Sequence, residues 1–405
     1  MSFDRFMFHP SIVSGIQAIG YKEPTPIQER AIPALLDRQD MLGVAQTGTG
    51  KTATFMLPIL QRLIGHKTQH VRVLVLAPTR ELAEQIHQAT RALGKDTHVR
   101  SVAIYGGVSK GPQVAALRRG VDVVVACPGR LLDHLGARAI DLSHVEVLVL
   151  DEADRMCDMG FLPDIRRILK VLPSDRQTLF FAATMPAEIR ALANSILKQP
   201  VTVQVDANAP AKTVSHAFYP ITEGLKRSLL LAMLKGPARG RVLVFTRTKH
   251  RARSLAVFLD KAGHRVAALQ GNMSQRERQT ALDGFRAGRF DVLVATDVAA
   301  RGIDVENISH VINFDMPDSV DAYTHRIGRT GRVERAGEAF SFSAPTDKLL
   351  RREVERAVGK PIESRRLPGF DYGASAAGIQ PRQVRQVFSS GAPRSPRPHR
   401  ALSAA

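Results

Sequence analysis

The sequence predicts an α/β fold with two domains built on mainly parallel sheets. Two series of short apolar segments support this prediction, because the segments are rich in valine and leucine and lack the polar alternation of half-exposed strands. The first series comprises 71–78, 121–128, 145–152 and 176–184. The second series comprises 241–248, 264–271, 290–297 and 308–315. Helical patterns such as 80–93 and 161–172 lie between these segments, and alternation of strand with helix is typical of parallel sheets.

The chain is expected to divide into four parts. The predicted boundaries are a first domain over 1–206, a linker over 207–213, a second domain over 214–365 and a tail over 366–405. The linker region has small residues and no apolar periodicity, and an ordinary surface loop is the alternative. The tail is rich in Gly, Ser, Pro, Ala and Arg, which predicts disorder.

Composition excludes several classes of protein. At 405 residues and 44% apolar content the chain can bury real cores, so global disorder is excluded. Two cysteines cannot form a disulfide framework, and no cysteine–histidine cluster has zinc-site spacing. The N-terminus does not resemble a signal peptide, and no apolar run reaches the length of about 18 residues typical of a membrane span. We therefore expect a cytoplasmic protein without a membrane segment.

The net charge of +19 favours a polyanionic partner. Nucleic acid is the first candidate and an anionic membrane surface the second, while a generally basic protein without such a partner is the alternative. The charge is +4 over 1–206, +10 over 207–365 and +5 over 366–405. The tail is interpreted as a nonspecific nucleic-acid tether, with a merely solvated chain end as the alternative.

Residues 45–52, with the sequence AQTGTGKT, lie between an apolar stretch and a helical pattern. Gly48 and Gly50 allow a tight turn in which consecutive N–H groups face one phosphate chain, and the following helix presents its positive end to the same anion. We expect Lys51 to neutralise the β- and γ-phosphates and Thr52 to ligate Mg²⁺. The alternative is a glycine-rich surface turn.

Two carboxylates follow the predicted strand 145–150 directly. Asp151 and Glu152 would lie at the carboxyl end of a buried parallel strand, where α/β sheets bind ligands. Asp151 is expected to hold Mg²⁺, and Glu152 to orient or deprotonate an attacking water. The alternative is that the two residues only begin a helix, because the helix dipole favours negative charge at its N-terminus. Combined with the glycine-rich loop, however, the pair is typical of an enzyme that hydrolyses a nucleoside triphosphate.

The ordered motifs resemble those of the DEAD-box ATP-dependent RNA helicases, and Asp151-Glu152-Ala153-Asp154 is the motif that names the family. The match runs from Phe3 to about residue 345. The motif sequences are most similar to those of the bacterial RhlE-like subgroup. The resemblance implies two tandem RecA-like domains, an ATP site in the cleft between them, ATP and Mg²⁺ as cofactors, and RNA bound through its backbone. Ribosomal or RNA-decay complexes are possible partners by the same resemblance.

The resemblance also assigns the nucleotide site. Residues 20–28 match the adenine-reading motif, in which the Gln28 amide donates and accepts on the base edge and Tyr21 stacks on the ring. On the sequence alone, the PTPIQ part of this motif reads as a helix start. The implied cofactor-binding residues are Phe3, Tyr21, Gln28, Ala45, Gln46, Thr47, Gly48, Thr49, Gly50, Lys51, Thr52 and Asp304.

Residues 325–332 match the family's arginine-finger motif. Four basic residues and two glycines in eight positions predict a poor helix and an anion-facing segment. Arg329 and Arg332 are expected to contact the γ-phosphate, and one such finger is worth about 10³–10⁵ in rate. The implied catalytic residues are Lys51, Asp151, Glu152, Arg329 and Arg332.

The implied RNA contacts come from both halves of the chain, and phosphate contacts of this kind carry no sequence information. They are Arg80, Gly107, Arg130, Arg247, Gly271 and Thr296. The alternative for each of these arginines, considered alone, is that it is a solvated surface charge without a role in RNA binding.

Three positions depart from the family pattern. Ala45 replaces the first glycine of the phosphate loop, and Cys127 replaces a threonine near the RNA contacts, which removes a hydroxyl donor. By the same resemblance, Ala182 replaces a serine that helps to link the DEAD aspartate, Asp154, to the histidine of the arginine-finger motif, His325, across the cleft. The loss of one hydrogen bond costs about 0.5–1.5 kcal/mol, so we expect ATP turnover to survive with weaker coupling to unwinding. The residues of this coupling set are Ala182, Ala183, Thr184, Asp154 and His325.

Three functions are alternatives to an RNA helicase. An ATP-dependent RNA clamp or chaperone with weak unwinding is made more plausible by Ala182. A DNA helicase is disfavoured by the resemblance alone. A basic nucleic-acid binder without enzymatic activity is disfavoured by the intact set of implied catalytic residues.

Overall fold

A computed structural model describes residues 2–45, 48–65, 68–205, 214–300, 305, 308–331 and 337–373. The predicted linker and residues 374–405 of the predicted tail lie outside these ranges. Among the described helices, none combines the length and the apolar character needed to cross a membrane.

The elements of the N-terminal half, residues 2–205, alternate between helix and strand. In order they are α1 (Pro10–Ile19), α2 (Pro26–Leu36), β1 (Met41–Val44), α3 (Lys51–Leu63), β2 (Val73–Leu76), α4 (Arg80–Leu93), β3 (Ser101–Ile104), α5 (Lys110–Arg118), β4 (Val123–Ala126), α6 (Pro128–Gly136), β5 (Val147–Leu150), α7 (Ala153–Asp158), α8 (Leu162–Leu169), β6 (Gln177–Ala182), α9 (Ala187–Ile196) and β7 (Val201–Gln204). A short 3-10 helix, Phe3–Phe6, precedes them.

The C-terminal half, residues 214–370, repeats this alternation. In order its elements are β8 (Val214–Pro220), α10 (Lys226–Lys235), β9 (Arg241–Phe245), α11 (Lys249–Lys261), β10 (Val266–Leu269), α12 (Gln275–Arg286), β11 (Val292–Ala295), α13 (Asp297–Ala300), β12 (Ile308–Asn313), α14 (Val320–Ile327), β13 (Gly337–Ser343), α15 (Lys348–Val358) and β14 (Glu363–Ser364).

Each half of the described chain contains one seven-stranded sheet. The strand order is β3-β4-β2-β5-β6-β1-β7 in the N-terminal half and β10-β11-β9-β12-β13-β8-β14 in the C-terminal half. Neighbouring strands pair in parallel throughout both sheets, as for β2 with β5 and β12 with β9. The predicted α/β fold with two parallel sheets is therefore confirmed.

The central strands are buried on both faces. In β2, Val73 and Val75 belong to one apolar cluster, and Leu74 and Leu76 belong to a second cluster on the opposite face. Successive side chains of a strand point to opposite faces, so a strand covered by helices on both sides needs apolar residues at every position. This burial explains why continuous apolar runs, rather than alternating ones, identified the strands.

Some predicted boundaries are shifted. Helix α4 covers the predicted 80–93, whereas α8 ends at Leu169, three residues before the predicted end at 172. Pro173 follows, and the residue before a proline is disfavoured in the α conformation. The strands β1, β3, β7, β8, β13 and β14 were not predicted, although the apolar stretch before the glycine-rich loop coincides with β1. Edge strand β3 is only partly buried, so it lacks the continuous apolar signal.

The parallel arrangement determines where functional side chains can meet. The carboxyl ends of all strands in a parallel sheet lie at the same edge, so the segments that follow β1, β2, β4, β5 and β6 lie along one edge of the N-terminal sheet. The segments that follow β9, β10 and β11 share the corresponding edge of the C-terminal sheet.

Candidate functional site

The glycine-rich loop connects β1 to the start of α3. Gly48 and Gly50 have φ angles of 87° and 92°, in the left-handed region where other residues are strained. A Cβ at Gly50 would also lie 2.6 Å from Gln28 Nε2. The loop therefore requires glycine at position 50 for its conformation and for its packing. Gln46 and Thr47 lie outside the described residues.

Lys51 begins α3 and its side chain is buried. Its Nζ donates to the Ala45 carbonyl at 3.1 Å and lies 3.8 Å from Asp151 Oδ1. Ala45 is the departure from the glycine pattern, and its own N–H donates to the Ala182 carbonyl at 3.0 Å. The loop base is thus fixed to β6, and Lys51 links the loop to the carboxylate at the end of β5.

Asp151 follows β5 and is 2% exposed. Its Oδ1 is buried without a hydrogen-bond partner, which is costly unless a cation or donor completes the site. Burial raises the pKa of Asp151 to about 6, and the neighbouring Glu152 charge adds to this, while Lys51 opposes it. Within the described residues, no group of three or more acidic, histidine or cysteine side chains could hold a metal. One carboxylate oxygen beside a phosphate loop fits Mg²⁺, which takes few protein ligands and substrate phosphates.

Glu152 has a strained backbone and an ionised side chain. Its φ of 53° and ψ of 50° place it in the left-handed region at the start of α7, and such strain clusters at functional sites. Burial by itself would raise the pKa of Glu152, but the charges of Arg155, Lys51 and Arg329 outweigh it and lower the pKa to about 2. A carboxylate this acidic is suited to orienting a water rather than to retaining a proton.

Asp154 is the centre of the coupling set. Its Oδ2 accepts hydrogen bonds from the backbone N–H of Ala183 at 3.0 Å and of Thr184 at 2.8 Å, and from Thr184 Oγ1 at 3.1 Å. Ala182, the last residue of β6, is fully buried in an apolar cluster and offers no hydroxyl. Asp154 is therefore held by the two residues after Ala182, through contacts that do not require a serine at position 182.

The C-terminal half contributes His325 and Arg329 to the same cleft. The Arg329 Nε donates to the His325 carbonyl at 3.3 Å, and the Arg329 charge acts on Glu152 of the N-terminal half. Burial lowers the pKa of His325, and the charges of Arg155 and Arg329 lower it further, against Asp154 and Glu152. The structure thus brings predicted residues of both halves together. Arg332 and Asp304 lie outside the described residues.

The expectation that residues 325–332 form a poor helix was wrong at their start. Helix α14 continues to Ile327, because Arg326 is buried and fixed within its own half. Arg326 donates to both carboxylate oxygens of Asp297, at 2.6 and 2.7 Å, and to Asn313 Oδ1 at 3.0 Å. Arg326 therefore supports the fold, whereas Arg329 faces the cleft.

The predicted adenine-reading residues contact the phosphate loop directly. Gln28 Oε1 accepts from the Thr25 N–H at 2.9 Å in a capping box of α2, and Gln28 Nε2 donates to the Gly50 carbonyl at 3.2 Å. Thr25 Oγ1 donates to the Thr49 carbonyl at 2.8 Å. An amide has two N–H donors and two acceptor lone pairs, so these contacts leave capacity for a base.

Tyr21 and Phe3 form a stacked pair beside α2. Their ring centroids are 6.4 Å apart with an interplanar angle of 17°. Tyr21 is 42% exposed, whereas Phe3 is 6% exposed. The exposed ring of Tyr21 is therefore the one that can stack on a base, and Phe3 supports it from behind.

Two predicted RNA-contact arginines converge on a glycine pair after β3. Gly107 has a φ of 76°, and a Cβ there would lie 1.9 Å from Arg80 Nη1. A Cβ at Gly106 would lie 3.9 Å from Nη2 of both Arg80 and Arg130. Arg130 also donates to the Val108 carbonyl at 3.1 Å and so holds the loop. Arg80, Gly107 and Arg130 therefore lie close together, while their role in RNA binding stays a prediction.

The predicted RNA contacts of the C-terminal half all follow sheet strands. Arg247 follows β9, and its exposed side chain lies 3.4 Å from Asp318 Oδ1. Gly271 follows β10, and a Cβ there would meet no atom within 4 Å. Thr296 follows β11 and is largely buried. Because β10, β11 and β9 are neighbours, the three residues lie along one sheet edge.

The sequence analysis did not predict a contact that joins the two halves. Arg278 on α12 is buried and donates through Nε to Glu81 Oε1 on α4 at 2.8 Å. The pair joins the C-terminal half to the turn that carries Arg80. Each side chain alone indicates a surface charge, and no local signal in the sequence links two residues so far apart.

Comparisons with known proteins agree with this geometry. The family model for the DEAD/DEAH box helicase matches residues 25–192, and the model for the helicase conserved C-terminal domain matches residues 225–334. The ATP-dependent RNA helicase CshA of Listeria monocytogenes is 42% identical over 370 residues, which cover 91% of this chain and 71% of that protein. The helicase RhpA of Helicobacter pylori is 41% identical over 370 residues, which cover 91% of this chain and 74% of that protein.

A solved structure extends the similarity to the whole fold. Dbp5 of S. cerevisiae bound to RNA and ADP BeF3 superimposes with a TM-score of 0.81 and 33% identity, over 90% of this chain and 95% of that chain. The RhlE-like subgroup stays a prediction, since the relatives named above are CshA and RhpA. The chain belongs to the DEAD-box ATP-dependent RNA helicases, which are ATP-hydrolysing enzymes with two tandem RecA-like domains.

Proposed function

We propose that this helicase binds ATP and RNA cooperatively across its two halves, separates short RNA duplexes or remodels RNA–protein complexes, and hydrolyses ATP to release the RNA. The observation that carries the proposal is the composite environment of Glu152. Glu152 accepts a hydrogen bond from Arg155 of the N-terminal half, and the charges of Lys51 in the same half and of Arg329 in the C-terminal half also act on it. If Glu152 is the catalytic carboxylate, its set of cationic partners is assembled only when the two halves are closed.

In the nucleotide site, each residue has one proposed task. Lys51 neutralises the β- and γ-phosphates, Gln28 and Tyr21 hold the base, and Arg329 stabilises the charge that develops on the transferred phosphoryl group. Glu152 orients the attacking water. Asp151 and Thr52 would hold Mg²⁺, which supplies neutralisation of phosphate charge when it is bound.

The proposed RNA-binding residues lie along one edge of each sheet. Arg80 and Arg130 beside Gly107 would bind phosphates in the N-terminal half, and Arg247, Gly271 and Thr296 would do so in the C-terminal half. The Glu81–Arg278 pair would bring these edges into one surface. Backbone contacts of this kind suit RNA of many sequences.

The proposed cycle couples closure to turnover. ATP and RNA would each favour the closed arrangement, so each should raise the affinity for the other. A bent single strand held by its backbone is incompatible with a duplex, so closure would separate a short duplex locally. Hydrolysis would remove the phosphate contacts of Arg329 and let the halves open. The similarity to Dbp5 bound to RNA and ADP BeF3 supports this assignment of the closed arrangement.

A second candidate function is an ATP-dependent RNA clamp with weak unwinding. The buried Ala182 favours it, because no hydroxyl at that position links Asp154 to the C-terminal half. This candidate predicts normal RNA-stimulated hydrolysis with little duplex separation. We place either activity in the cytoplasm, where ribosomal or RNA-decay complexes would supply structured RNA.

The deciding experiment compares ATP hydrolysis with RNA, with DNA and with neither, alongside separation of a short RNA duplex, for the wild type and for Glu152→Gln. We expect stimulation by RNA, and a loss of about 100-fold or more in the turnover of Glu152→Gln with ATP-dependent RNA binding retained. Normal hydrolysis by Glu152→Gln would show that the catalytic assignment is wrong. Equal stimulation by DNA would favour the DNA-helicase alternative.

A further inference from the structure

Arg155 makes a direct contact with the candidate catalytic carboxylate. Its Nη1 donates a hydrogen bond to Glu152 Oε2, and both residues are buried, with exposures of 8% and 5%. The left-handed conformation of Glu152 starts α7 there, so the residue three positions on turns back onto the carboxylate. The Arg155 N–H also donates to Asp154 Oδ1 at 3.0 Å, which fixes the start of the side chain.

Among the described residues, the cations Arg155, Lys51 and Arg329 act on Glu152, and they differ in whether bound ATP would be expected to attract them. Lys51 lies in the phosphate loop, and Arg329 comes from the opposite half. Both have phosphate groups as their proposed targets, so bound ATP would draw both away from the carboxylate. Arg155 has no such target, and it belongs to the same helical turn as Glu152 whether the halves are open or closed.

We propose that Arg155 is a positioning residue for ATP hydrolysis, whose guanidinium fixes the orientation of the Glu152 carboxylate against the attacking water. This inference rests on the proposed role of Glu152. A charge-assisted hydrogen bond from a planar guanidinium restrains both the rotation and the position of a carboxylate. Arg155 acts through Glu152, so its removal should slow the chemical step without weakening ATP binding.

The test compares steady-state, RNA-stimulated ATP hydrolysis by the full chain carrying Arg155→Met, Arg155→Lys or no change. We expect Arg155→Met to lower kcat about 10- to 100-fold, the scale on which a misplaced catalytic group costs rate. The KM for ATP should stay within about twofold, and Arg155→Lys should recover part of kcat because it restores a charged donor. The matched control is Arg166→Met on α8, an exposed arginine, which should match the wild type.

A double variant separates positioning from a structural role. In the Glu152→Gln background, adding Arg155→Met should cause no further loss of kcat, because residues that act as a unit are not additive. An additive loss would overturn the inference, as would a kcat within twofold of wild type for Arg155→Met or a rise in KM as large as the fall in kcat. If Arg155→Met does not fold, Arg155→Lys decides, with an intermediate kcat and an unchanged KM expected and a wild-type kcat overturning the inference.

The activities of Glu152→Gln and Arg155→Met together distinguish a wrong positioning role from a wrong catalytic assignment. If Glu152→Gln is inactive while Arg155→Met is fully active, only the positioning role is wrong. If Glu152→Gln hydrolyses ATP normally, both the catalytic assignment and the positioning role are wrong.

Discussion

Arg278 Nε lies 2.8 Å from Glu81 Oε1, and this contact joins two residues on opposite halves of the protein. Glu81 is 6% exposed and Arg278 is 9% exposed, so the pair is largely shielded from water. Arg278 Nη2 also donates to the Ala299 carbonyl at 3.3 Å, which fixes the guanidinium to the C-terminal half. Glu81 follows Arg80, so the contact places a proposed RNA residue next to the opposite half.

Arg278→Met should weaken RNA binding only when the halves close. The substitution leaves the Glu81 carboxylate without this partner in the closed state, and an uncompensated buried charge is strongly unfavourable. With a non-hydrolysable ATP analogue we expect RNA affinity to fall at least about tenfold, which corresponds to about 1.4 kcal/mol. Without nucleotide the affinity should change less than about twofold. Fluorescence anisotropy of labelled RNA measures both.

Arg276→Met is the matched control, because Arg276 lies on the same helix and is exposed. It should leave the nucleotide-dependent affinity intact. Equal losses with and without nucleotide in Arg278→Met would contradict a role in closure.

Gly107→Ala should weaken RNA binding through Arg80. The new Cβ would overlap the Arg80 guanidinium, and the φ of 76° is strained for alanine. We expect RNA affinity to fall about tenfold while ATP affinity is unchanged, since one displaced phosphate contact accounts for roughly 1–2 kcal/mol. Gly129→Ala is the control, because a Cβ there meets no atom within 4 Å. A similar loss in both variants would show that the Arg80–Gly107 contact is not the cause.

Ala182→Ser should raise the number of duplexes separated per ATP hydrolysed. The added hydroxyl would lie on the residue before Ala183 and Thr184, which hold Asp154. It would supply the donor that the family resemblance assigns to a link between Asp154 and His325. The position is fully buried, so the melting temperature has to be measured alongside. Ala182→Cys, of similar size with a weaker donor, is the control. An unchanged ratio of unwinding to hydrolysis in Ala182→Ser would contradict the coupling hypothesis.

Cys127→Thr should stabilise the N-terminal half. Cys127 occupies the N-cap of α6 and makes no side-chain capping bond, whereas threonine at an N-cap contributes about 0.5–2 kcal/mol relative to alanine. Burial raises the pKa of the Cys127 thiol to about 12, so the residue supplies no thiolate at neutral pH. Chemical denaturation should show a higher midpoint for Cys127→Thr and none of this gain for Cys127→Ala. Equal midpoints would show that the cap is not formed.

The C-terminal half should lose stability as the pH falls from about 6.5 to about 4 through His216. Burial lowers the pKa of His216 to about 4, and the charge of Lys360 adds to this. The unfolded chain takes up this proton near the ordinary value of 6.5, so the folded state loses up to roughly 3 kcal/mol across the window. Above pH 6.5 His216 is neutral in both the folded and the unfolded chain, so no stability is lost through its protonation.

His216→Phe should flatten the pH dependence of thermal unfolding in that window, relative to the wild type. The exposed His250→Gln is the control and should retain the wild-type slope. A wild-type slope in His216→Phe would show that other groups account for the acid sensitivity.

The parts of the site that follow from local chemistry could be predicted. Gly48 and Gly50 must bend the loop whatever the rest of the chain does, and Asp151 must follow a buried strand. Sheet topology then places Lys51 beside Asp151 without further information from the sequence. Arg80 and Gly107, by contrast, were connected only through the family resemblance, which implied an RNA contact for each of them, and their proximity was not predicted.

Other features depend on which distant residues fold together. Glu81 and Arg278 are separated by 197 positions, and nothing in either helix distinguishes them from solvated charges. Arg326 and Arg329 belong to one motif, yet Asp297 binds the first within its own half. A motif shows that charges are needed, but only tertiary packing shows which of them supports the fold and which faces the cleft.

The side chains that start α2 also bond the phosphate loop, Thr25 to the Thr49 carbonyl and Gln28 to the Gly50 carbonyl. A base that competes for the Gln28 amide would therefore alter the loop that carries Lys51. Discrimination between nucleobases would then be expressed in the rate of hydrolysis as well as in binding. A triphosphate with the wrong base would then occupy the loop and be turned over slowly, and base selectivity and phosphate chemistry would act as one kinetic checkpoint.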